Sequence, residues 1–208
     1  MLTASVTFAL AAALIVLLPG PDTLVVLRNL VRGGRRRAAL TVAGVLCGLT
    51  VWVTAAALGM AALLHASEEA YLALRVVGAA YLLWLGVLTL RSRTVPDMLP
   101  NGALADPART PRGRGFGAGL ATDLLNPKVG VFFVTFLPGF VPDGQPVGAA
   151  SLAFGAIFVI ETAVYFALLL FLAGRITGWL RDTTVRRWLD RATGTVLIGF
   201  GLRLAVEQ

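Results

Sequence analysis

Long apolar stretches constrain the fold of this chain more than any other feature of its sequence. Five are clear and a sixth is weaker, and they cover residues 4–26, 38–64, 70–90, 116–140, 147–173 and about 192–206. A spanning helix needs about 20 predominantly apolar residues, so we expect the sixth to begin earlier, near Val185. With 57% apolar residues and a mean hydropathy of +0.81, the chain is too apolar for an ordinary soluble domain. We predict an all-α membrane protein with six transmembrane helices.

The basic residues are distributed unevenly among the connections between these stretches. Arginines are concentrated after the first, third and fifth stretches, whereas 65–69 carries two glutamates and 141–147 only Asp143 as charged residues. Because cytoplasmic loops are enriched in Lys and Arg, we expect a multi-pass protein of the inner (plasma) membrane with both termini on the outer side. This topology accounts for the net charge of +7 and argues against nucleic acid as a partner.

The stretches are divided into two halves by a connection rich in proline and glycine. We predict a single transmembrane transporter domain, 1–208, with a first repeat of about 1–91, a cytoplasmic linker of about 92–115 and a second repeat of about 116–208. Three spans in each half mean that the halves enter the membrane from opposite sides, as in the inverted repeats of transporters. The predicted architecture is therefore two inverted three-helix repeats.

The first and the fourth stretch each contain an interruption that combines proline with polar or charged residues. The interruptions are Pro19, Gly20, Pro21 and Asp22 in the first stretch and Asp123, Asn126, Pro127 and Lys128 in the fourth. A broken helix is tolerated at membrane depth only where it is buried in protein or lines a water-filled cavity. Paired broken helices in corresponding halves indicate the binding site of a secondary transporter. We predict that helices 1 and 4 are broken here.

Four ionisable side chains within the apolar stretches are candidates for function: Asp22, Asp123, Lys128 and Glu161. An ionised Asp or Lys at the centre of a membrane helix costs about 2.5–3.5 kcal/mol on insertion scales. We expect Lys128 to pair with Asp22 or Glu161 across helices. Asp22 could cap the amides that follow it, or it could take a proton or a substrate ammonium while half-helix amides receive a carboxylate. For Glu161, a proton-carrying role and a structural pair both remain open.

These interruptions, together with segments elsewhere in the chain, resemble the LysE/RhtB family of amino-acid exporters. The matching segments are Pro19–Asp22, Gly78–Gly86, the block from Leu124 to Pro138 and the glycine-rich last stretch. The resemblance covers essentially the whole chain. It implies a six-helix inner-membrane protein that exports amino acids or related small metabolites and is energised by the proton gradient.

We predict a secondary transporter, and not an enzyme, that exports amino-acid-like solutes in exchange for protons by alternating access. The predicted substrate- and proton-binding residues are Pro19, Gly20, Pro21, Asp22, Asp123, Asn126, Pro127, Lys128 and Glu161. We expect no cofactor and no metal, and the sequence lacks the G-x-x-x-x-G-K-[ST] pattern of an ATP-driven motor. The expected partners are the solute, protons and the lipid bilayer. A homodimer through the glycine-rich spans remains open.

Two other functions remain as alternatives. An inorganic or metal ion exporter of the same superfamily could use oxygen ligands for a hard cation, although the chain lacks clusters of His and Cys. An intramembrane aspartyl protease could use Asp22 and Asp123 as a dyad that shares one proton. Neither aspartate lies in a Gly-x-Gly-Asp motif. The protease is therefore the least favoured of the three functions.

Overall fold

The computed structural model describes residues 2–66, 68–91, 114–172 and 183–206, and all regular structure in these residues is helical. Within them, seven α-helices can be numbered in chain order, with two irregular helical turns after the fifth. Their bounds are α1 Leu2–Leu17, α2 Pro21–Ala66, α3 Glu68–Arg91, α4 Arg114–Leu124, α5 Pro127–Val131, a π-helical turn Phe132–Phe136, a 3-10 turn Leu137–Phe140, α6 Val147–Phe171 and α7 Thr183–Val206. The prediction of an all-α chain is confirmed. Almost all of the predicted linker lies outside the described residues.

The first apolar stretch is broken where the sequence predicts it. α1 ends at Leu17, residues 18–20 are non-helical, and α2 begins at Pro21. Proline suits the first position of a helix, because its fixed φ matches the helix and no backbone donor is needed there. The chain therefore crosses this region as two half-helices.

The second helix reverses direction at Gly34. This residue has φ 69° and ψ −176°, in a region that glycine adopts without the steric cost of a Cβ. The Nδ2 of Asn29 donates to the Oγ1 of Thr41 at 2.9 Å across the turn, although the two residues are 12 apart in sequence. A straight helix would separate them by about 18 Å. α2 is therefore a hairpin of two arms, 21–33 and 35–66.

The fourth apolar stretch is also broken, at residues 125–126. α4 ends at Leu124, and Asn126 is the N-cap of α5, with its Oδ1 accepting a hydrogen bond from the amide of Lys128 at 3.1 Å. Pro127 takes the first helical position, as Pro21 does in α2. The chain then continues through the π-helical and 3-10 turns to Phe140. Both predicted broken helices are present.

The described helices differ in whether they are individually long and apolar enough to cross a membrane. Among the described residues, two segments pass a test of length and composition, Pro21–Gly59, which includes the reversal at Gly34, and Val147–Phe171, while Leu2–Leu17 and Val76–Leu88 are apolar but shorter. α7 begins at Thr183, close to the expected Val185, and carries several arginines in its first half. α1 is short because the first stretch is interrupted at residues 18–20.

Glycines permit close approach between the helices that hold the two breaks. A Cβ on Gly44 of α2 would collide with the carbonyl oxygen of Phe116 in α4, and a Cβ on Gly119 of α4 would collide with the carbonyl oxygen of Thr41. α3 and α7 meet in the same way, since a Cβ on Gly86 would lie 2.9 Å from the carbonyl oxygen of Gly194. The backbone of α4 is thereby held directly against α2.

A cluster of phenylalanines fills the core beside the breaks. The rings of Phe8 and Phe154 stack with centroids 4.9 Å apart, and Phe132 and Phe158 lie 5.0 Å apart. The cluster draws its members from α1, α6, α7 and the irregular turns. It consists of Phe8, Phe132, Phe133, Phe136, Phe140, Phe154, Phe158 and Phe200.

Candidate functional site

The two helix breaks meet in the interior of the molecule. The Nδ2 of Asn126 donates to the Oδ2 of Asp22 at 2.7 Å, although the residues are 104 apart in sequence. The same Asn126 side chain caps α5 through its oxygen. Because one amide holds the start of α5 and the carboxylate in the first turn of α2, the geometry of one break depends on the other.

Lys128 binds the end of α1. Its Nζ donates to the carbonyl oxygens of Ile15 at 3.0 Å and of Leu18 at 3.1 Å. The last carbonyl groups of a helix lack regular amide partners and carry partial negative charge, so they suit an ammonium group. The hydrogen bonds of Lys128 therefore go to these carbonyl oxygens, while Asp22, one of its two expected partners, lies on the wall of the same cavity.

Asp123 is the most deeply buried of the ionisable side chains in the two breaks. It is 0% exposed, and neither carboxylate oxygen has a hydrogen-bond partner in the described part of the chain. Its main-chain oxygen accepts from the amide of Asn126 at 3.0 Å and from the Nε1 of Trp52 at 3.3 Å. The carboxylate packs against Gly48, whose missing side chain leaves the space for it. An uncompensated carboxylate in this position is costly unless it binds a proton or a cation.

These groups share a cavity of about 40 Å³. The predicted residues on its wall are Gly20, Asp22, Asp123 and Lys128, and the other polar ones are Thr23, Thr162 and Tyr165. A water molecule occupies about 30 Å³ of liquid, whereas pockets that enclose small ligands typically measure about 300–1,000 Å³. The cavity therefore has room for water but must enlarge to hold a metabolite.

Sequence reasoning missed three polar residues on the cavity wall, namely Thr23, Thr162 and Tyr165. The Thr23 hydroxyl lies 3.4 Å from the Tyr165 hydroxyl, which joins the first arm of α2 to α6. The Oγ1 of Thr162 is buried without a hydrogen-bond partner among the described residues. The sequence indicated them only through their closeness to Asp22 and Glu161. An isolated hydroxyl residue in an apolar helix is more often a packing residue.

The remaining predicted residues lie near the cavity without forming its wall. Glu161 is half-buried on α6 next to Thr162, and its Oε2 has no hydrogen-bond partner within the described ranges. Pro19 and Pro21 flank Gly20 in the first break. Pro127 lines a second, more open cavity of about 350 Å³ between α3 and the second break.

The arrangement combines charges of both signs around one small cavity. An ammonium, from Lys128, and two carboxylates, from Asp22 and Asp123, face a cavity whose other walls are apolar or hydroxyl-bearing. Such a site can neutralise the separated charges of a zwitterion or hold a proton on a carboxylate. Within the described residues, no group of three or more His, Cys, Asp or Glu side chains could hold a metal ion.

Comparison with known proteins gives one family and several full-length relatives. The family profile described as LysE type translocator matches residues 13–208. An uncharacterized membrane protein of Pseudomonas aeruginosa is 32% identical over 203 residues, which cover 96% of this chain and 93% of that protein. The threonine efflux protein of Escherichia coli (strain K12) is 30% identical over 215 residues, covering all of both chains.

A further relative is named for a different substrate. The homoserine/homoserine lactone efflux protein of Salmonella typhi is 29% identical over 198 residues, which cover 95% of this chain and 94% of that protein. No solved structure matches the chain significantly.

Proposed function

Because the chain belongs to the family of LysE type translocators, we propose that it is a secondary transporter that exports small neutral amino acids in exchange for protons. Translocators of this family are membrane transporters, which supports transport in preference to catalysis. The observation that carries the proposal is the meeting of the two broken helices at Asn126 and Asp22, with the Nζ of Lys128 on the end of α1.

The charges around the cavity support an amino acid as the solute. A zwitterion requires a cation for its carboxylate and an anion or carbonyl groups for its ammonium. Lys128 supplies the first, and Asp22, Asp123 and the α1 carbonyl oxygens supply the second. The names of the relatives favour threonine and homoserine. Both carry a hydroxyl group, which the hydroxyls of Thr23, Thr162 and Tyr165 suit.

The unpartnered carboxylates support coupling to protons. Among the described residues, the Oδ1 of Asp22 and both carboxylate oxygens of Asp123 lack hydrogen-bond partners, so either side chain can accept a proton without breaking an existing bond. Export of a zwitterion against a hundredfold gradient costs about 2.7 kcal/mol. One proton entering under 100 mV supplies about 2.3 kcal/mol, and a pH gradient adds to this. One proton for each solute is roughly sufficient.

Alternating access around this cavity fits two inverted repeats in the inner membrane. The packing of α2 on α4 and of α6 on α1 is the pair of contacts that an inverted repeat expects, since each joins the second span of one half to the first span of the other. Phe158 of the phenylalanine cluster lines one side of the cavity, and the contact between Thr23 and Tyr165 lies on another wall. Opening these contacts in turn would expose the cavity to each side of the membrane.

Efflux from proteoliposomes tests the proposed function. Liposomes containing the full chain are loaded with a mixture of amino acids, and the released solutes are identified by mass spectrometry with and without an imposed proton gradient. Release of threonine, homoserine or another small amino acid that depends on the gradient supports the proposal. If correctly folded and oriented protein releases no amino acid under either condition, amino-acid export is excluded.

A further inference from the structure

The end of α1 forms a binding site for a primary ammonium group, and the chain itself occupies it. We propose that the carbonyl oxygens of Ile15 and Leu18 bind the ammonium of the transported amino acid, and that Lys128 fills this site only while the cavity is empty. The inference rests on the proposed function, because it assigns one charged end of the exported solute to a place in the cavity.

The contacts of Lys128 are those that any primary ammonium would make. Its Nζ has hydrogen-bond lengths of 3.0 and 3.1 Å to the two carbonyl oxygens. An ammonium has three donors, so one remains after these two bonds. The Oδ1 of Asp22 is buried on the same cavity wall without a partner in the described ranges of the chain. The carbonyl end of a half-helix favours a cation.

The Lys128 side chain lies beside Gly20 where it reaches the carbonyl oxygens. A Cβ at this position would lie 3.6 Å from the Nζ of Lys128 and 4.0 Å from its Cδ. The side chain therefore lies against the backbone of the first break, and its ammonium is at the edge of the cavity. Displacement of the flexible lysine side chain would uncover the carbonyl oxygens as the cavity enlarges to admit a solute.

A zwitterion can replace Lys128 without adding charge to the cavity. Its ammonium takes the carbonyl oxygens of Ile15 and Leu18, and its carboxylate pairs with the displaced Lys128 ammonium. An amine that lacks the carboxylate brings no anion for the displaced Lys128 ammonium, so the two ammonium groups must compete for Asp22 and Asp123 in the same cavity, which is less favourable than binding with a carboxylate of its own. The arrangement therefore selects zwitterions over simple amines.

Lys128 is the only lysine of the chain, so its replacement removes a single ammonium. The proposal predicts opposite effects on two ligands that differ by one carboxylate. L-Threonine and 1-aminopropan-2-ol are titrated into the full chain in nanodiscs, for the native protein and for Lys128→Met. The exposed Cys47→Ala variant serves as the control. L-Homoserine and 3-aminopropan-1-ol replace this pair if threonine does not bind.

The native protein and Cys47→Ala should bind the amino acid about tenfold or more tightly than the amine, because the amine cannot give Lys128 a partner. In Lys128→Met the amine should bind about tenfold more tightly than in the native protein, while the amino acid loses affinity. If folded Lys128→Met binds the amine no better than the native protein does, the carbonyl site is not an ammonium site.

A measurement on the native chain avoids dependence on the folding of a variant. Protein labelled with carbon-13 at the lysine Cε gives one side-chain resonance by NMR. It should shift on saturation with the amino acid and remain unchanged with the amine at the same concentration. An unchanged resonance when the amino acid is bound would overturn the exchange. Amine binding to Lys128→Met requires no transport, so this site can be supported even if the efflux experiment finds no export.

Discussion

Asn126 connects the two halves of the site through a single amide group. Its Oδ1 caps α5 and its Nδ2 binds Asp22, so both ends of the side chain are used. Asn126 is only 3% exposed, and a buried hydrogen bond to a carboxylate is stronger than one between neutral groups. The residue therefore stabilises the junction of the breaks as well as the start of one helix.

Replacement of Asn126 by alanine should destabilise the fold by about 2–4 kcal/mol, since an N-cap contributes about 1 kcal/mol and a hydrogen bond to a charged group about 1.5–3 kcal/mol. Asn126→Ser retains a capping oxygen but is too short to replace the bond to Asp22, so it should lose less. The free energies of unfolding are measured by titration of mixed micelles with a denaturing detergent. Equal losses in the two variants would show that the cap contributes nothing.

Asp22 should be essential for proton-driven export while being dispensable for folding. In Asp22→Asn the side-chain oxygen can still accept from Asn126, but the charge and the proton-accepting oxygen are lost. We expect gradient-driven efflux from proteoliposomes to fall by about a hundredfold, the scale of a lost group that acts in the rate-limiting step. Gel filtration and thermal unfolding check the fold. If efflux by Asp22→Asn still depends on the proton gradient, Asp22 is not the proton carrier.

The helices that carry the breaks depend on glycine for their spacing. Gly119 of α4 faces the backbone of α2, whereas a Cβ on Gly117, two residues earlier in the same helix, would meet no described residue within 4 Å. Because successive residues of a helix point in different directions, only one of the two glycines lies in the contact. Substitutions at these two glycines therefore distinguish the effect of close packing from the effect of helix propensity.

Gly119→Ala should destabilise the protein by about 1–3 kcal/mol, because the added methyl group meets backbone that cannot move aside easily. Gly117→Ala should be neutral or stabilising by up to about 1 kcal/mol, since alanine is the better helix former. Thermal unfolding of the two variants in detergent is the measurement. Similar stability for both would contradict the close contact between α2 and α4.

At the scale of the whole molecule, the turn of α2 and the end of α6 lie together. The Nη2 of Arg35 donates to the carbonyl oxygen of Phe171 at 3.2 Å. The arginine-rich turn after the first span and the end of α6 are therefore on one side of the molecule. The positive-inside rule expects both in the cytoplasm, and the connection containing Asp143 on the other side.

Cysteine labelling in intact cells tests this orientation. In a Cys47→Ala background the chain has no other cysteine. A cysteine introduced by Asp143→Cys should react with a membrane-impermeant maleimide added outside, whereas Arg36→Cys should react only after the cells are permeabilised. Both positions are exposed, so a difference reports sidedness. The reverse pattern would place both termini in the cytoplasm.

Much of this architecture can be predicted from the sequence because it depends on local chemistry. Apolar stretches predict helices, and proline with charge inside them predicts the breaks at 18–20 and 125–126, since proline cannot continue a hydrogen-bonded helix. Asp22, Asp123 and Lys128 were candidates because a charge at membrane depth is costly wherever its partner lies. These inferences require no knowledge of which helices are neighbours.

The tertiary structure alone decided which groups meet. Nothing near Lys128 in the sequence indicates that its ammonium binds the carbonyl oxygens of Ile15 and Leu18, or that Thr23 faces Tyr165. The reversal at Gly34, the contact of Asn126 with Asp22 and the size of the cavity are likewise outcomes of packing. The sequence by itself determined where the helices break and that charge is buried there. The pairing of that charge depended on helix packing, because backbone carbonyls and amides are present at every residue and only their position in space makes some of them a binding site.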